Sequence, residues 1–311
     1  MWIAAAFLCF LLPEVSFDGT AQGTTYHIRY ADAGQRNFKI SVDSILSDID
    51  KALSTYRTDS EVSTFNQFDD FRYQSGYFYP VLQRSYEIYQ ATGGAFDPTV
   101  APLTEAYRNG KRSGIPWPGR VDSLLQYVGF QYIVFDSVAV HKTKSGVRLD
   151  FDAIAQGYTV DVIAGFLEKQ GITDYLVEVG GELRCRGKKR SIPIEDPFHP
   201  GKTLRTLTLT NRATATSGNY YNAYRQDGQL LHHIMHPQTG ISPPDALLSA
   251  TVLSADAASA DAYATALLAL GLEGAKLLLQ KEPQLEAFLV YEEEGRPKFF
   301  MTAGMQAIIA E

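Results

Sequence analysis

Apolar residues recur along this chain with two periods, and the switches between them outline the fold. GTTYHIRYA alternates, predicting a first strand from about Thr24 to Tyr30. Val42, Ile45, Leu46, Ile49 and Leu53 then fall at three- and four-residue spacing, which predicts an amphipathic helix ending near Ser54. A second helix is expected over about 80–92, stopped by Gly93 and Gly94. The next segment, AFDPTVAPL, carries two prolines and predicts irregular structure. NGKRSGIPWPGR, residues 109–120, is rich in Gly, Pro and charge and predicts a surface loop between two lobes. YIVFDSVAVHKTKSGVRLDFDAIAQGY predicts two or three strands running into a helix from near Ala155 through Leu167.

Strand-like segments dominate thereafter: DYLVEVGGELRCRG, SIPIED, TLRTLTLTNRATATSG, LLHHIMHP and LLSATVLS. The last leads into the alanine-rich helix ASADAYATALLALG, and EAFLVYEEEGRPKFFMT predicts a hairpin turning at Glu294 and Gly295. Strands that cluster instead of alternating with helices predict an α+β fold of mixed, largely antiparallel sheets with packed helices. The glycine pairs in TGGAF and EVGGEL lack the G-x-G-x-x-G spacing of a dinucleotide-binding turn.

Composition narrows the class. With 311 residues, 45% of them hydrophobic, the chain can bury a full core, and 17 Phe and 18 Tyr argue against disorder. The 28 Lys and Arg are outnumbered by 35 Asp and Glu, and no basic stripe interrupts the net charge of −7, so nucleic acid is excluded as the expected partner. Cys9 and Cys185 are far apart and lack a C-x-x-C partner, which points to neither a disulfide scaffold nor a zinc knuckle. MWIAAAFLCFLLP is too short to span a bilayer but suits the core of an export signal. We therefore read residues 1–15 as a leader, with Cys9 a candidate lipid-attachment site, and 16–311 as the working domain. That reading predicts an exported protein, periplasmic or anchored to the bacterial inner membrane.

Three places carry candidate chemistry. Asp261 and Thr265 are four residues apart, so they leave one helix face about 6 Å apart at Cβ and can share a small hard cation such as Mg²⁺. A plainer reading puts Asp261 in the first turn, complementing the dipole, with Thr265 bonded back to a carbonyl. In LDFDAIAQGYTVD, Asp150 and Asp152 are spaced to share one face at the end of a strand, and either could instead cap the helix that follows. A free Ala153 carbonyl at that junction could supply a third oxygen. HHIMHPQTG holds His232, His233 and His236, but Pro237 and Gly240 argue against the helix that would gather imidazoles on zinc, leaving a single histidine acid or base.

Taken in order, GTTY, STYRTDSEVSTFN, GGAFDPTV, LDFDAIAQGYTVD, LVEVGGEL, IEDP, ATSGNYYNAY, HHIMHPQTG and SADAYATALLALG resemble the FAD:protein FMN transferase family, the ApbE-type flavin transferases. The resemblance covers nearly the whole chain from Gly23. It implies an enzyme that binds FAD, cleaves its pyrophosphate with Mg²⁺, and joins FMN through a phosphoester to a threonine of a target flavoprotein, such as a respiratory redox-pump subunit, releasing AMP. It also implies that Ala153, Asp261 and Thr265 hold the cation, that Gln22, Tyr56, Ala95, Phe96, Asp97, Asp150, Gln156 and Met235 contact FAD, and that His233 accepts the threonine proton. His236 stands where the family usually has aspartate, and Gln156 where lysine or glutamate is common. The same site with water as nucleophile would make an FAD pyrophosphatase, and without chemistry an FAD-binding carrier.

Overall fold

A computed structural model describes residues 12–113, 121–220, 224–226, 229–231, 233–243 and 247–310. The chain opens with a hairpin of β1 (Glu14–Ala21) and β2 (Thr24–Ala31), turned by Gln22 and Gly23, both at positive φ. Glu14 and Val15, inside the expected leader, thus pair with Ala31 and Tyr30, while residues 1–11 with Cys9 lie outside the described residues. Helix α1 (Lys39–Leu53) buries Val42, Leu46, Ile49 and Leu53, as its period predicts. There follow α2 (Glu61–Gln67), β3 (Asp70–Arg72) and α3 (Phe78–Ala91).

The two prolines of AFDPTVAPL overturn the expectation of irregular structure. Pro98 opens a 3₁₀ turn, Pro98–Val100, capped by Asp97, and Pro102 lies in the first turn of α4 (Ala101–Ser113). Proline is tolerated there because the first helical N–H groups have no intrahelical partner to lose. Residues 109–113, expected in a loop, therefore end a helix, and 114–120 lie outside the described residues. Next come α5 (Val121–Leu125), a 3₁₀ turn, β4 (Ile133–Phe135), β5 (Ala139–Lys142) and α6 (Ala155–Lys169). LDFD is not strand, and neither Asp150 nor Asp152 caps α6.

The remaining elements are β6 (Tyr175–Val179), β7 (Glu182–Arg186), β8 (Arg190–Glu195), β9 (Thr203–Leu209), β10 (Arg212–Gly218), β11 (Tyr224–Gln226), β12 (Gln229–Leu231) and β13 (Leu247–Ser254). They are followed by α7 (Ala257–Lys281), β14 (Glu286–Glu293), β15 (Arg296–Met301), α8 (Ala303–Gln306) and β16 (Ile309–Ala310). The expected strand through LLHHIMHP stops at Leu231. His233 to Pro237 run outside any strand, and His232 lies outside the described residues. Glu294 and Gly295 turn the β14–β15 hairpin at positive φ, as read from the sequence.

Eight strands form the main sheet in the order β1-β2-β6-β7-β10-β13-β14-β15, and all its pairings among the described residues are antiparallel. Alternation assigns its two faces. Val252 and Leu289 join the largest core cluster, which includes α7, whereas Leu253 and Val290 face a second cluster shared with β9 and α8. Helix α7 is anchored at its start by Asp161 of α6, which accepts the Ala257 and Ala258 N–H groups at 3.0 and 2.9 Å. Asp256 caps the same turn through the Ser259 N–H. Gly271, at φ 70°, breaks the helical path where the alanine-rich stretch ends.

Candidate active site

A cleft of about 1480 Å³ lies where these elements converge: the β1–β2 turn, the end of α1, α4, the entrance of α6, the β6–β7 turn, the end of β10, residues 233–237 and α7. Gln22, Tyr56, Ala95, Phe96, Asp97, Asp150, Ala153, Gln156, His233, Met235, Asp261 and Thr265 all line it. His236 does not.

One wall is built by α6 against α7. Asp261 sits in the second turn of α7, not the first, and is 6% exposed. Its Oδ2 accepts the Gly157 N–H at 3.1 Å. Because α6 starts at Ala155 with Ile154 as its N-cap, the Gly157 N–H is one of the first helical donors and the Ala153 carbonyl stays outside the helical ladder. Burial pushes the Asp261 carboxyl up to about 7, with the Gly157 N–H opposing. One turn on, Thr265 Oγ1 lies 3.0 Å from Ser217 Oγ on β10, so the hydroxyl faces the sheet end and does not bond back along its helix. A carboxylate, a hydroxyl and a carbonyl suit a hard divalent cation that takes its other oxygens from a ligand. Among the described residues no group of three or more His, Cys, Asp or Glu could hold a metal by itself.

A second group of lining residues, reached through Asp152 next to Ala153, is aromatic and charged. Tyr56 donates its hydroxyl proton to Asp152 Oδ2 at 3.3 Å and accepts from Arg108 Nη1 at 3.0 Å, with the guanidinium 5.5 Å from the ring centroid. Arg108 Nη2 also bonds Asp150 Oδ2 at 2.9 Å, and Asp150 Oδ1 takes the Asp152 N–H at 3.0 Å. Tyr56 is 75% exposed, which leaves aromatic surface beside Arg108 for a flat ligand. Arg108 was not singled out in the sequence, since it falls between AFDPTVAPL and the loop expected from residue 109. Glu182 and Ser217, also lining the cleft, stood inside quoted motifs without a role.

Other residues serve by shape. Gln22 Nε2 donates to Thr159 Oγ1 at 2.8 Å, fastening the β1–β2 turn to α6. Gly180 adopts φ 67°, which strains any side chain, and a β-carbon there would push the Gln156 amide aside. The Asp97 carboxylate is turned into the fold. Its Oδ1 accepts the Thr99 N–H and hydroxyl at 2.8 and 2.6 Å, its Oδ2 takes the Phe130 N–H at 3.2 Å, and burial pushes it up to about 6. Met235 packs with Leu103, Tyr107 and Val121 behind the cleft wall.

A family model described as the ApbE family matches residues 22–289. The FAD:protein FMN transferase of Vibrio cholerae serotype O1 is 32% identical, aligned over 84% of this chain and 82% of its own. That of Haemophilus influenzae is 31% identical over 89% and 86%. Among solved structures, flavin transferase ApbE from Vibrio cholerae superposes with a TM-score of 0.82 at 27% identity, covering 95% of this chain and 99% of that one. The apo flavinyl transferase ApbE of Pseudomonas stutzeri gives 0.86 at 28% identity over 95% and 96%. Because the family match runs from the β1–β2 turn into β14, and so across every wall of the cleft, the chain belongs to the ApbE family.

Proposed function

We propose that this protein transfers the FMN half of FAD to a threonine hydroxyl of a target flavoprotein. The observation that carries the reading is that one cleft brings together an oxygen-donor wall and an aromatic, charged cluster. Its volume, about 1480 Å³, suits a dinucleotide, with its diphosphate against Asp261, Thr265 and the Ala153 carbonyl. Gln22, Tyr56, Ala95, Phe96, Asp97, Asp150, Gln156 and Met235 would surround its two ring systems, Asp97 through its backbone. Mg²⁺ held by the oxygen wall would neutralise the pyrophosphate oxygens and orient them.

His233 would accept the proton of the threonine hydroxyl as that oxygen attacks the FMN-side phosphorus. A new P–O bond to threonine forms, and the bond from that phosphorus to the bridging oxygen breaks. AMP leaves with the bridging oxygen and its electron pair. Transfer of this kind is mostly positioning, so the chain's task is to hold hydroxyl and phosphorus in line. We further propose that Met1–Pro13 directs export, with Cys9 as a tether. Cell fractionation with and without Cys9→Ser tests this, a soluble periplasmic variant being the expected result.

Incubation with FAD, Mg²⁺ and a threonine-bearing acceptor tests the activity. Covalent flavin fluorescence on the acceptor supports transfer, AMP without labelling marks hydrolysis, and FAD that survives bound marks a carrier. Asp261→Asn should cost about 3 kcal/mol of transition-state stabilisation, roughly a hundredfold in rate. Wild-type turnover in that variant would remove Asp261 from the mechanism.

A further inference from the structure

β7 begins with Glu182, directly after the Gly180–Gly181 turn, and Glu182 lines the same cleft as Ala153, Asp261 and Thr265. Glu182 is 6% exposed, and its Oε2 is buried with no hydrogen-bond partner. Asp261 lines the same cleft, equally buried, with the Gly157 N–H as its partner. Burial first, and then the charge of Asp261, push the Glu182 carboxyl well above the usual carboxylate range. Among the described residues neither carboxylate forms an ion pair with Lys or Arg. Two buried carboxylates without a counter-charge are expensive to maintain, and an orphaned oxygen facing a cavity calls for a ligand of opposite charge. Repulsion relieved by a shared proton is the competing account.

We infer that Glu182 is a second carboxylate of the cation site, so that it and Asp261 load one divalent ion into the cleft before the dinucleotide arrives. The inference rests on the proposed reading that this wall takes a divalent cation. With one carboxylate, much of the attraction for the ion would have to come from the substrate's phosphates. With two, the protein balances the ion's charge itself, and the diphosphate meets a preformed electrophilic wall. Glu182 is then a positioning residue for the ion and touches no reacting atom of the substrate.

Mn²⁺ titrated into FAD-free protein, with the free ion followed by its paramagnetic resonance signal, tests this without any turnover. Wild type should take up one Mn²⁺ per chain. Glu182→Gln should weaken that uptake at least tenfold, Glu182→Asp should recover part of it, and added FAD should restore much of the binding that the Gln variant lost. In metal-free buffer Glu182→Gln should melt at or above the wild-type temperature, because it removes a buried carboxyl that only a bound cation would compensate, while losing the rise that Mn²⁺ gives the wild type. Unchanged Mn²⁺ affinity in Glu182→Gln beside weakened binding in Asp261→Asn would overturn the role of Glu182 and leave the cation reading standing. Uptake by wild type only when FAD is present would overturn preloading alone. No uptake with or without FAD would remove the cation reading together with this one.

Discussion

His236 shows how a residue that departs from the family's usual pattern can keep its local job. An aspartate at this place could accept the N–H two residues on and hold the turn. Here His236 Nδ1 accepts the Gln238 N–H at 3.2 Å, and the His236 carbonyl takes the Gly240 N–H at 2.8 Å, so the turn stands on a different acceptor. The bond requires a neutral ring with its proton on Nε2. Burial lowers the His236 pKa, in the direction that favours that neutral form. Its contribution to stability is therefore complete above the unfolded value of about 6.5 and is lost as pH falls through the lower folded value. His236→Asp should keep neutral-pH turnover within about twofold, since it restores the acceptor without touching the cleft. It should also flatten the loss of melting temperature between pH 7 and 5. A variant whose acid profile parallels the wild type would show that the sensitivity lies elsewhere. The family resemblance placed Asp97 among the ligand contacts, but only the fold shows its carboxylate spent on Thr99 and Phe130.

Elements were legible wherever a period or a turn pair was local. The α1 stripe, the Glu294–Gly295 hairpin and the end of the alanine-rich stretch at Gly271 all follow from residues within one or two turns of each other. Pro98 and Pro102 misled because proline stops a helix from inside yet starts one from its first turn, and the distinction depends on where the cap lies. β1 escaped because it runs straight out of the apolar leader, and its Gly19 is covered by the Tyr26 ring across the hairpin. The α6–α7 contact was not legible, since 104 residues separate Gly157 from Asp261. It rests on the missing side chain, because a β-carbon at Gly157 would collide with the Ala257 carbonyl and the neighbouring Ala258 backbone. Gly157→Ala should cost about 3 kcal/mol or more, from overpacking against backbone and from the strained Asp261 bond. Gly165→Ala, in the same helix with nothing within 4 Å of its β-carbon, should instead gain up to about 1 kcal/mol. Urea midpoints at constant slope would report both. Equal effects at the two glycines would mean that helix propensity, and not the α6–α7 approach, sets the stability there.

At the scale of the whole molecule, the cleft gathers residues from Gln22 to Ala269, and no spacing rule could have brought them together; only the ordered set of motifs did. The largest core cluster behind it likewise runs from Ile49 to Leu289, joining residues from both sides of the segment 114–120. A ligand that fills this cleft therefore touches elements that share one core, and its binding energy should stabilise the fold as a unit. At about a hundredfold excess over its dissociation constant, FAD should add about 2.7 kcal/mol to the unfolding free energy. For a chain of this size that is a rise in melting temperature on the order of 5 °C. The calorimetric trace should keep one transition that moves as a whole. Two transitions, of which FAD moves only one, would mean that the segments on either side of residues 114–120 fold as independent lobes and that the shared core does not couple them. In Asp261→Asn the extra rise that Mg²⁺ gives on top of FAD should vanish while the rise from FAD alone persists. The oxygen wall and the aromatic clamp would then be acting on separate halves of one ligand, which is what a site built to divide a dinucleotide at its diphosphate requires.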